Sequence, residues 1–180
     1  MFRKILSLFR SGPKGLRLRH VLTAGVMMEE KAEEFYRAHA GRMERIEARA
    51  LCLTLADEEV GHQRLVRGIL SRWQRVPVSP SDLRALGAEL KISRMFVPPP
   101  PAGATPREIL MFAVAAERKM VRFYSGFEDE LRSFLARRRA GERGDPAEEA
   151  RALWKGVKLR EMIREEQSHV RRLEEMLLPG

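Results

Sequence analysis

Cysteine is almost absent from this chain. Cys52 is the only one among 180 residues. A single cysteine cannot form a disulfide within the chain, and it excludes a zinc site built from several thiolates or an iron centre held by four cysteines. A lone thiol suits a reducing compartment, so we expect a cytoplasmic protein. We interpret Cys52 itself as a small core residue.

Long apolar runs are also missing. No stretch approaches the roughly 20 apolar residues that a membrane-spanning helix requires. No segment alternates apolar and polar residues in the manner of a half-buried strand. The apolar part of the N-terminus is too short, and too interrupted by charge, to predict a secretory signal. These absences favour an all-α protein without a membrane span.

Acidic residues are outnumbered, since 34 lysines and arginines face 25 aspartates and glutamates and give a formal net charge of +9. Such a balance can favour nucleic acids, anionic membranes or acidic partners. The basic residues are scattered, however, and 137–139 is their densest run. We therefore interpret most of them as solvated helix faces and do not expect nucleic-acid binding.

Residues 1–14 are the exception to this scatter. Their apolar residues follow helical i, i+3, i+4, i+7 spacing with basic residues between them: Phe2, Ile5, Leu6 and Phe9. The pattern predicts a short basic amphipathic segment. We expect it to pack on the rest of the protein or on a neighbouring subunit; peripheral membrane contact through residues 1–10 is the alternative.

Helical periodicity organises the rest of the chain, residues 15–180, into one domain. Gly41 is a stop signal, and Thr105-Pro106-Arg107-Glu108 combines a capping threonine, a proline at the first helical position and a glutamate at the third. A crossover at about 77–104 contains a proline run that excludes helix. The predicted helices, the last two counted from their capping residues, span about 15–40, 43–75, 105–139 and 145–178.

Two copies of one motif, Glu-x-x-His, lie late in the second and fourth predicted helices. One copy is Glu59 with His62, and the other is Glu166 with His169. Residues i and i+3 share a helix face, so the carboxylate and imidazole of each copy can bind one metal ion. One such motif is more often a surface pair, but two copies at the inward phase of their helices indicate a site.

The first and third predicted helices each carry an inward glutamate followed seven residues later by a tyrosine. Glu29 precedes Tyr36, and Glu117 precedes Tyr124. Both halves of the chain therefore share the order Glu-x6-Tyr, then Glu-Glu-x-x-His, which predicts a pseudo-twofold arrangement. Inward glutamates without a counter-charge are costly, so an ordinary core explains them poorly.

Together these residues supply four carboxylates and two imidazoles, the ligand set that four-helix bundles use for a di-iron or di-manganese centre. Four carboxylates neutralise two divalent ions, and imidazole caps each ion without adding charge. We predict a site for two iron ions, with manganese as the alternative. The predicted ligands are Glu29, Glu59, His62, Glu117, Glu166 and His169.

Three further expectations concern the neighbours of these ligands. Tyr36 and Tyr124 either act in catalysis, through hydrogen bonds to ligands or through proton or radical chemistry, or pack as core aromatics. Glu58 and Glu165 point about 100° away from the ligand glutamates that follow them, so we expect them to be solvated. The outer nitrogen of each histidine should donate to an acceptor that the sequence does not identify.

This pattern resembles the di-iron domain of the rubrerythrins, within the ferritin-like superfamily, over about residues 16–178. The resemblance implies a ferritin-like four-helix bundle built from two helical hairpins joined by a long crossover. It implies that the six residues above are iron ligands, with Glu59 and Glu166 as bridging carboxylates. It also implies an enzyme that reduces hydrogen peroxide or reacts with dioxygen while iron cycles between its ferrous and ferric states.

The chain departs from the rubrerythrins in three ways. The rubredoxin domain that supplies electrons is missing, so a peroxidase cycle would need an external electron donor. Met120 occupies the position, one turn after Glu117, where rubrerythrins can carry an extra glutamate. The site is therefore closer to the plain six-ligand set of bacterioferritin-type centres. The segment 126–145 is longer and more charged than a helix turn needs, and the pattern assigns it no function.

The leading functional expectation is a di-iron oxidoreductase, a rubrerythrin-like peroxidase or ferroxidase that serves oxidative-stress defence or iron handling. The first alternative is a di-iron monooxygenase acting on a lipid or RNA substrate, similar to demethoxyubiquinone or transfer-RNA hydroxylases. The second is a non-enzymatic iron-binding or storage bundle, and the last is a purely structural bundle without metal. Long amphipathic helices often leave an apolar stripe for a second copy, so we expect a homodimer.

Overall fold

The computed structural model describes residues 14–71, 99–139 and 146–178. These residues contain no strand, so the predicted all-α fold is confirmed for them. The helices form a four-helix bundle and follow the predicted order: α1 (Lys14–Ala40), α2 (Ile46–Ser71), α3 (Pro106–Arg139) and α4 (Pro146–Leu177). Three predicted features lie outside the described residues. They are the segment 1–14 except for its last residue, the end of α2 at 72–75, and the crossover from 77 to 98.

The turn between α1 and α2 corrects one predicted boundary. Gly41 follows the end of α1 as expected, but α2 begins at Ile46 and not at Met43. Met43 has 1% of its surface exposed and lies in the turn, where its carbonyl accepts a hydrogen bond from the Arg49 guanidinium at 3.1 Å. Met43 is an apolar core residue outside the helix, so the sequence pattern wrongly included it in α2.

The start of α3 confirms the predicted capping signal. The Thr105 amide donates to the Glu108 carboxylate at 2.7 Å, and the Glu108 amide donates to the Thr105 hydroxyl at 3.3 Å. These bonds satisfy amides that have no partner within the helix, and they lower the pKa of Glu108. Residues 99–104, the described end of the crossover, contain no helix.

Two apolar clusters fill the bundle, one on each side of a polar layer. The first cluster is formed by residues such as Leu22, Val66, Phe127 and Leu159, and the second by residues such as Met43, Leu55, Ile109 and Leu173. Along the chain, α1 and α4 pass from the first cluster to the second, whereas α2 and α3 pass from the second to the first. The end of α2 and the start of α3 therefore lie at opposite ends of the bundle, which explains why the chain needs a long connection between them.

The packing is closest within two helix pairs. α1 packs along α2, and α3 packs along α4, whereas α2 meets α4 and α1 meets α3 at fewer places. Within the described residues, no helix combines the length and the apolar character that crossing a bilayer would require. The sparse α2–α4 and α1–α3 contacts leave two faces of the bundle more open, and both lead toward its centre.

Part of the segment 126–145 is now placed. Residues 126–139 continue α3, whereas 140–145 lie outside the described residues. Glu128 in this segment is buried, with 6% of its surface exposed, and its carboxylate accepts bonds from Arg132 at 2.7 Å and Arg160 at 3.1 Å. The Arg160 contact ties α3 to α4, so this part of the segment has a structural role.

Candidate metal centre

All six predicted ligands meet in the layer between the two apolar clusters. Each helix runs from one apolar cluster to the other. Each contributes one or two polar residues to the layer between the clusters. None of the six has more than 4% of its surface exposed: Glu29, Glu59, His62, Glu117, Glu166 and His169. Four carboxyl groups so deeply buried, with only two imidazoles beside them, would be very costly in an ordinary core.

The six residues form two groups that could each hold a metal ion. Within each group, one ligand atom from every residue lies within 4.8 Å of the others. Glu59 and Glu166 belong to both groups and are joined by one glutamate and one histidine in each. The groups are Glu29, Glu59, His62 and Glu166, and Glu59, Glu117, Glu166 and His169.

The inner ring nitrogens of both histidines face the carboxylates. His62 Nδ1 lies 3.0 Å from Glu166 Oε1 and 3.3 Å from Glu59 Oε2. His169 Nδ1 lies 3.2 Å from Glu59 Oε1 and 3.5 Å from Glu117 Oε2. The two rings are nearly parallel, with centroids 5.5 Å apart and planes 19° from each other. Each imidazole thus caps one side of the carboxylate cluster.

The outer ring nitrogens contact the glutamates that precede the ligands, crosswise between the motifs. His62 Nε2 lies 2.8 Å from Glu165, and His169 Nε2 lies 3.2 Å from Glu58. An ionised carboxylate can only accept a hydrogen bond, so Nε2 carries a proton, and Nδ1 is the nitrogen that a metal could bind in place of a proton. The side chains of Glu58 and Glu165 are 40% and 60% exposed. Their carboxylates are also the acceptors for the outer histidine nitrogens that the sequence did not identify.

Glu58 has an additional partner that Glu165 lacks in the matching position. Arg172, one turn after His169, donates to the Glu58 carboxylate through both terminal nitrogens. The residue one turn after His62 is Leu65. The arginine therefore holds the carboxylate that orients His169, and the pseudo-twofold similarity ends at this point.

The two tyrosines bond to the single glutamates of the opposite half. The Tyr36 hydroxyl donates to Glu117 Oε1, and the Tyr124 hydroxyl donates to Glu29 Oε1. Burial raises the pKa of both tyrosines, and the nearby carboxylates raise it further, so both remain neutral donors. Among the predicted alternatives the geometry favours hydrogen bonding to ligands; proton or radical chemistry stays a prediction.

The protonation of the cluster reflects its crowding. Burial and the neighbouring Glu59 charge raise the pKa of Glu29 and Glu166. Burial also opposes ionisation of Glu59, but the adjacent polar groups of Glu29, His169 and His62 outweigh it and lower the pKa of Glu59. Burial opposes the charged form of His169 too, yet its carboxylate partners raise its pKa to about 9. Protons thus occupy places that cations would take.

Unpaired atoms provide a direct test of whether these residues fit a metal. Within the described part of the chain, five carboxylate oxygens of the cluster and one imidazole nitrogen are buried without a hydrogen-bond partner. Buried polar atoms without partners are costly and uncommon. A divalent cation satisfies such atoms, so the donor set fits two metal ions. The atoms are Glu29 Oε2, Glu59 Oε1, Glu117 Oε2, both Glu166 carboxylate oxygens and His169 Nδ1.

Two other residues near the cluster behave as the sequence predicted. Cys52 is buried, with 1% of its surface exposed, and burial raises the pKa of its thiol to about 11. Met120 is buried at the position one turn after Glu117. No seventh carboxylate joins either group within the described residues.

The centre has two different approaches. On the open α2–α4 face, a cavity of about 540 Å³ is lined by both histidines and by Glu58, Glu165 and Arg172. On the open α1–α3 face, a smaller pocket of about 240 Å³ reaches Tyr36 and Glu117 and is otherwise mostly apolar. One side is thus polar and acidic, and the other suits apolar molecules.

Comparisons of the chain with models of protein families, with curated proteins and with solved structures gave no match. The assignment of the site therefore depends on the geometry of the residues themselves.

Proposed function

We propose that this protein is a di-iron carboxylate oxidoreductase that oxidises Fe(II) with hydrogen peroxide or dioxygen. One observation carries the proposal: Glu59 and Glu166 belong to both ligand groups, and each group is completed by one histidine and one glutamate. A site for a single ion has no need of a second histidine and a fourth carboxylate, whereas a pair of ions uses all six residues. Bridging roles for Glu59 and Glu166 follow from their membership of both groups.

The ferritin-like character of the bundle belongs to the same proposal. The opposite order of the apolar clusters along α1 and α2, and along α3 and α4, suits two hairpins. The displacement between the end of α2 and the start of α3 suits a long crossover. The resemblance to rubrerythrins through Glu-x6-Tyr and Glu-x-x-His adds support, and a peroxidase cycle would need an electron donor beyond the residues of this site.

The chain's own residues have distinct roles in this chemistry. The four ligand carboxylates neutralise two divalent ions in a layer that apolar side chains seal above and below. Glu165 and Glu58 hold the histidines with Nδ1 toward the cluster. Tyr36 and Tyr124 occupy one oxygen each of Glu117 and Glu29 and thereby restrict how these carboxylates can rotate.

The bound iron would supply the electrons. Two Fe(II) ions held by the six residues would supply two electrons, enough with two protons to reduce one hydrogen peroxide to two waters, and would become Fe(III). The acidic cavity on the α2–α4 face is a suitable approach for the cations, because Glu58 and Glu165 line it and keep a substantial fraction of their side chains exposed. Manganese suits the same ligands.

An anaerobic Fe(II) titration of metal-free protein tests the proposal, followed by hydrogen peroxide in one half of the sample and air in the other. We expect two Fe(II) per chain and a near-ultraviolet band of oxo-bridged ferric iron that forms faster with peroxide. A faster response to air would favour dioxygen as the oxidant. Absence of stoichiometric binding would refute the site, and one ion per chain would refute the two-metal assignment.

A second function, a di-iron monooxygenase, is favoured by one observation. The apolar pocket on the α1–α3 face reaches the ligand Glu117, and a peroxidase needs no such space for an organic molecule. Organic product formed from dioxygen and an external reductant would distinguish this function from simple Fe(II) oxidation.

A further inference from the structure

The apolar pocket lies between α1 and α3 and ends at the metal cluster. Its volume is about 240 Å³, and its walls include Phe35 and Phe112. An apolar cavity of roughly 150 Å³ is large enough to bind benzene in another protein. This pocket therefore has room for a molecule of about one to two rings or an aliphatic chain of similar volume. The other apolar side chains that carry the argument are Met28, Ala32, Ala116 and Met120.

Of the polar side chains that line the pocket, Tyr36 and Lys31 already have partners, whereas Glu117 keeps one oxygen, Oε2, without a hydrogen bond. The Tyr36 hydroxyl donates to Glu117 Oε1, and Glu117 Oε2 lies 3.5 Å from His169 Nδ1. The Lys31 amino group pairs with Glu34 on the surface. A polar ligand would lose its hydrogen bonds to water and gain few in return, because the one unpaired oxygen faces His169 in the cluster, whereas an apolar ligand loses none.

The two halves of the repeat differ beside the pocket. Gly25 of α1 occupies the position in the repeat that Ala113 occupies in α3. A methyl group on Gly25 would lie 3.5 Å from the ring of Phe123, which is buried with 8% of its surface exposed. The Phe123 ring therefore packs close to Gly25.

Phe35, the counterpart of Phe123, takes a different place. Its ring packs over Phe112 at 4.7 Å and over His39 at 4.4 Å between centroids. Ala113 carries a methyl group where Gly25 has none, so the packing beside Tyr36 differs from that beside Tyr124. The pocket lies on the Tyr36 side.

We infer that this pocket binds one small, neutral, mainly hydrocarbon molecule, with its inner end against Tyr36 and Glu117. Dioxygen and peroxide are too small to fill it. Contact with Glu117 places one end of the occupant beside the metal ligands, which is where an organic substrate of the proposed centre would have to lie. That the bound molecule is a substrate rests on the proposed function. Its binding to the pocket does not require metal.

Naphthalene, a neutral two-ring hydrocarbon, is a suitable probe. Equilibrium dialysis with the full-length metal-free chain should show saturable binding of one molecule per chain. Pyrene, with four fused rings, should bind at least tenfold more weakly because it exceeds the pocket. Failure of naphthalene to saturate one site, including because another part of the chain fills the pocket, would overturn the inference.

Ala32→Met fills the pocket with a residue that the second half of the repeat carries in the matching position, Met120. We expect at least tenfold weaker naphthalene binding by this variant. Ala38→Met is the matched control, because Ala38 is exposed on the same helix, and it should bind naphthalene as the unmodified chain does. Equal affinity in both variants would also overturn the inference.

A second pair of variants guards against misfolding of the first. Ala116 lines the pocket, whereas its neighbour Ala115 is exposed. Ala116→Leu should weaken naphthalene binding, and Ala115→Leu should not. Fe(II) titration of the same proteins separates the two proposals. Naphthalene binding without iron binding refutes only the metal centre, and iron binding without naphthalene binding refutes only the pocket.

Discussion

Glu166 shows at the scale of one residue what burial of the candidate centre costs. It is fully buried, and burial together with the Glu59 charge raises its pKa. A carboxyl whose pKa is higher in the folded protein than in the unfolded chain favours folding below the unfolded pKa. That contribution is lost as the pH rises through the folded pKa, because ionisation is then resisted only in the fold.

Glu166→Gln should therefore stabilise the metal-free protein near neutral pH. Four buried carboxyls share only two imidazoles, so removing one ionisable carboxyl lowers the cost of burying the cluster, and we expect a higher free energy of unfolding in urea denaturation. The same variant should no longer bind two Fe(II) ions, because it removes a ligand from both groups. Glu175→Gln, at an exposed position of α4, should change neither property. Retention of two tight Fe(II) ions by Glu166→Gln would contradict the bridging assignment.

The tyrosines allow the two metal positions to be distinguished. Tyr36→Phe removes the hydroxyl that bonds Glu117, and Tyr124→Phe removes the one that bonds Glu29. Loss of a partner next to a metal ligand commonly lowers metal affinity by about 10–100-fold. We expect each variant to weaken one of the two Fe(II) ions in a calorimetric titration and the double variant to weaken both. Unchanged affinity for both ions would show that the tyrosines only fill space.

Cys52 should be chemically inert in the folded protein. Burial raises the pKa of its thiol to about 11, so the reactive thiolate is scarce at pH 8. We expect no reaction with a disulfide reagent at pH 8 in native buffer and one reactive thiol per chain in denaturant. Because the folded pKa is raised, this group favours folding below its unfolded pKa, and the contribution declines as the pH rises toward about 11. Rapid native labelling at pH 8 would contradict the burial.

At the scale of the helix, the periodic pattern predicted the core faces well. On α2, residues at helical spacing from Glu59 are buried with it, from Ala48 and Cys52 through Leu55 to Val66. The capping residues of α3 were equally predictable, because their hydrogen bonds are local. The start of α2 was not, because Met43 is buried by contacts that a linear pattern does not contain.

Gly25 of α1 is a helical position at which the two halves of the repeat differ. A methyl group there would lie 3.1 Å from the Tyr124 hydroxyl oxygen, whereas one on Gly68 of α2 would meet nothing within 4 Å. Replacing a helical glycine by alanine gains up to about 1 kcal/mol when space allows. We therefore expect Gly68→Ala to raise the melting temperature. Gly25→Ala should gain less, or lose stability, and should weaken Fe(II) binding at the group that contains Glu29.

Equal gains in melting temperature from Gly25→Ala and Gly68→Ala, with normal Fe(II) binding, would show that Tyr124 shifts without consequence. The comparison is a fair one because both glycines lie within long helices. Circular dichroism during heating, with metal-free protein, gives the two melting temperatures.

At the scale of the whole molecule, the layer of candidate metal ligands separates two apolar clusters and connects all four helices. Ions that bind this layer only in the folded state must stabilise the entire bundle. At a free Fe(II) concentration 100 times the dissociation constant, one site contributes about 2.7 kcal/mol. For a chain of this size we expect the melting temperature to rise by about 5–10 °C.

Anaerobic thermal denaturation with and without Fe(II) measures this effect, and an added chelator should reverse it. Mn(II) should act in the same way. Mg(II) is the control, because it binds imidazole poorly and retains its water ligands. Equal stabilisation by Mg(II) would indicate a nonspecific charge effect on the carboxylates.

The sequence by itself determined the helical fold class, the approximate helix spans and the six residues of the candidate centre. These follow from local rules, because helical period places residues on a face and the motif spacing repeats in both halves. Tertiary structure decided what depends on the relation between helices. Examples are the crosswise contacts of Glu58 and Glu165 with the histidines and the choice of glutamate for each tyrosine. The open pocket beside Tyr36 is another, because small differences between the two halves become space only when the helices pack.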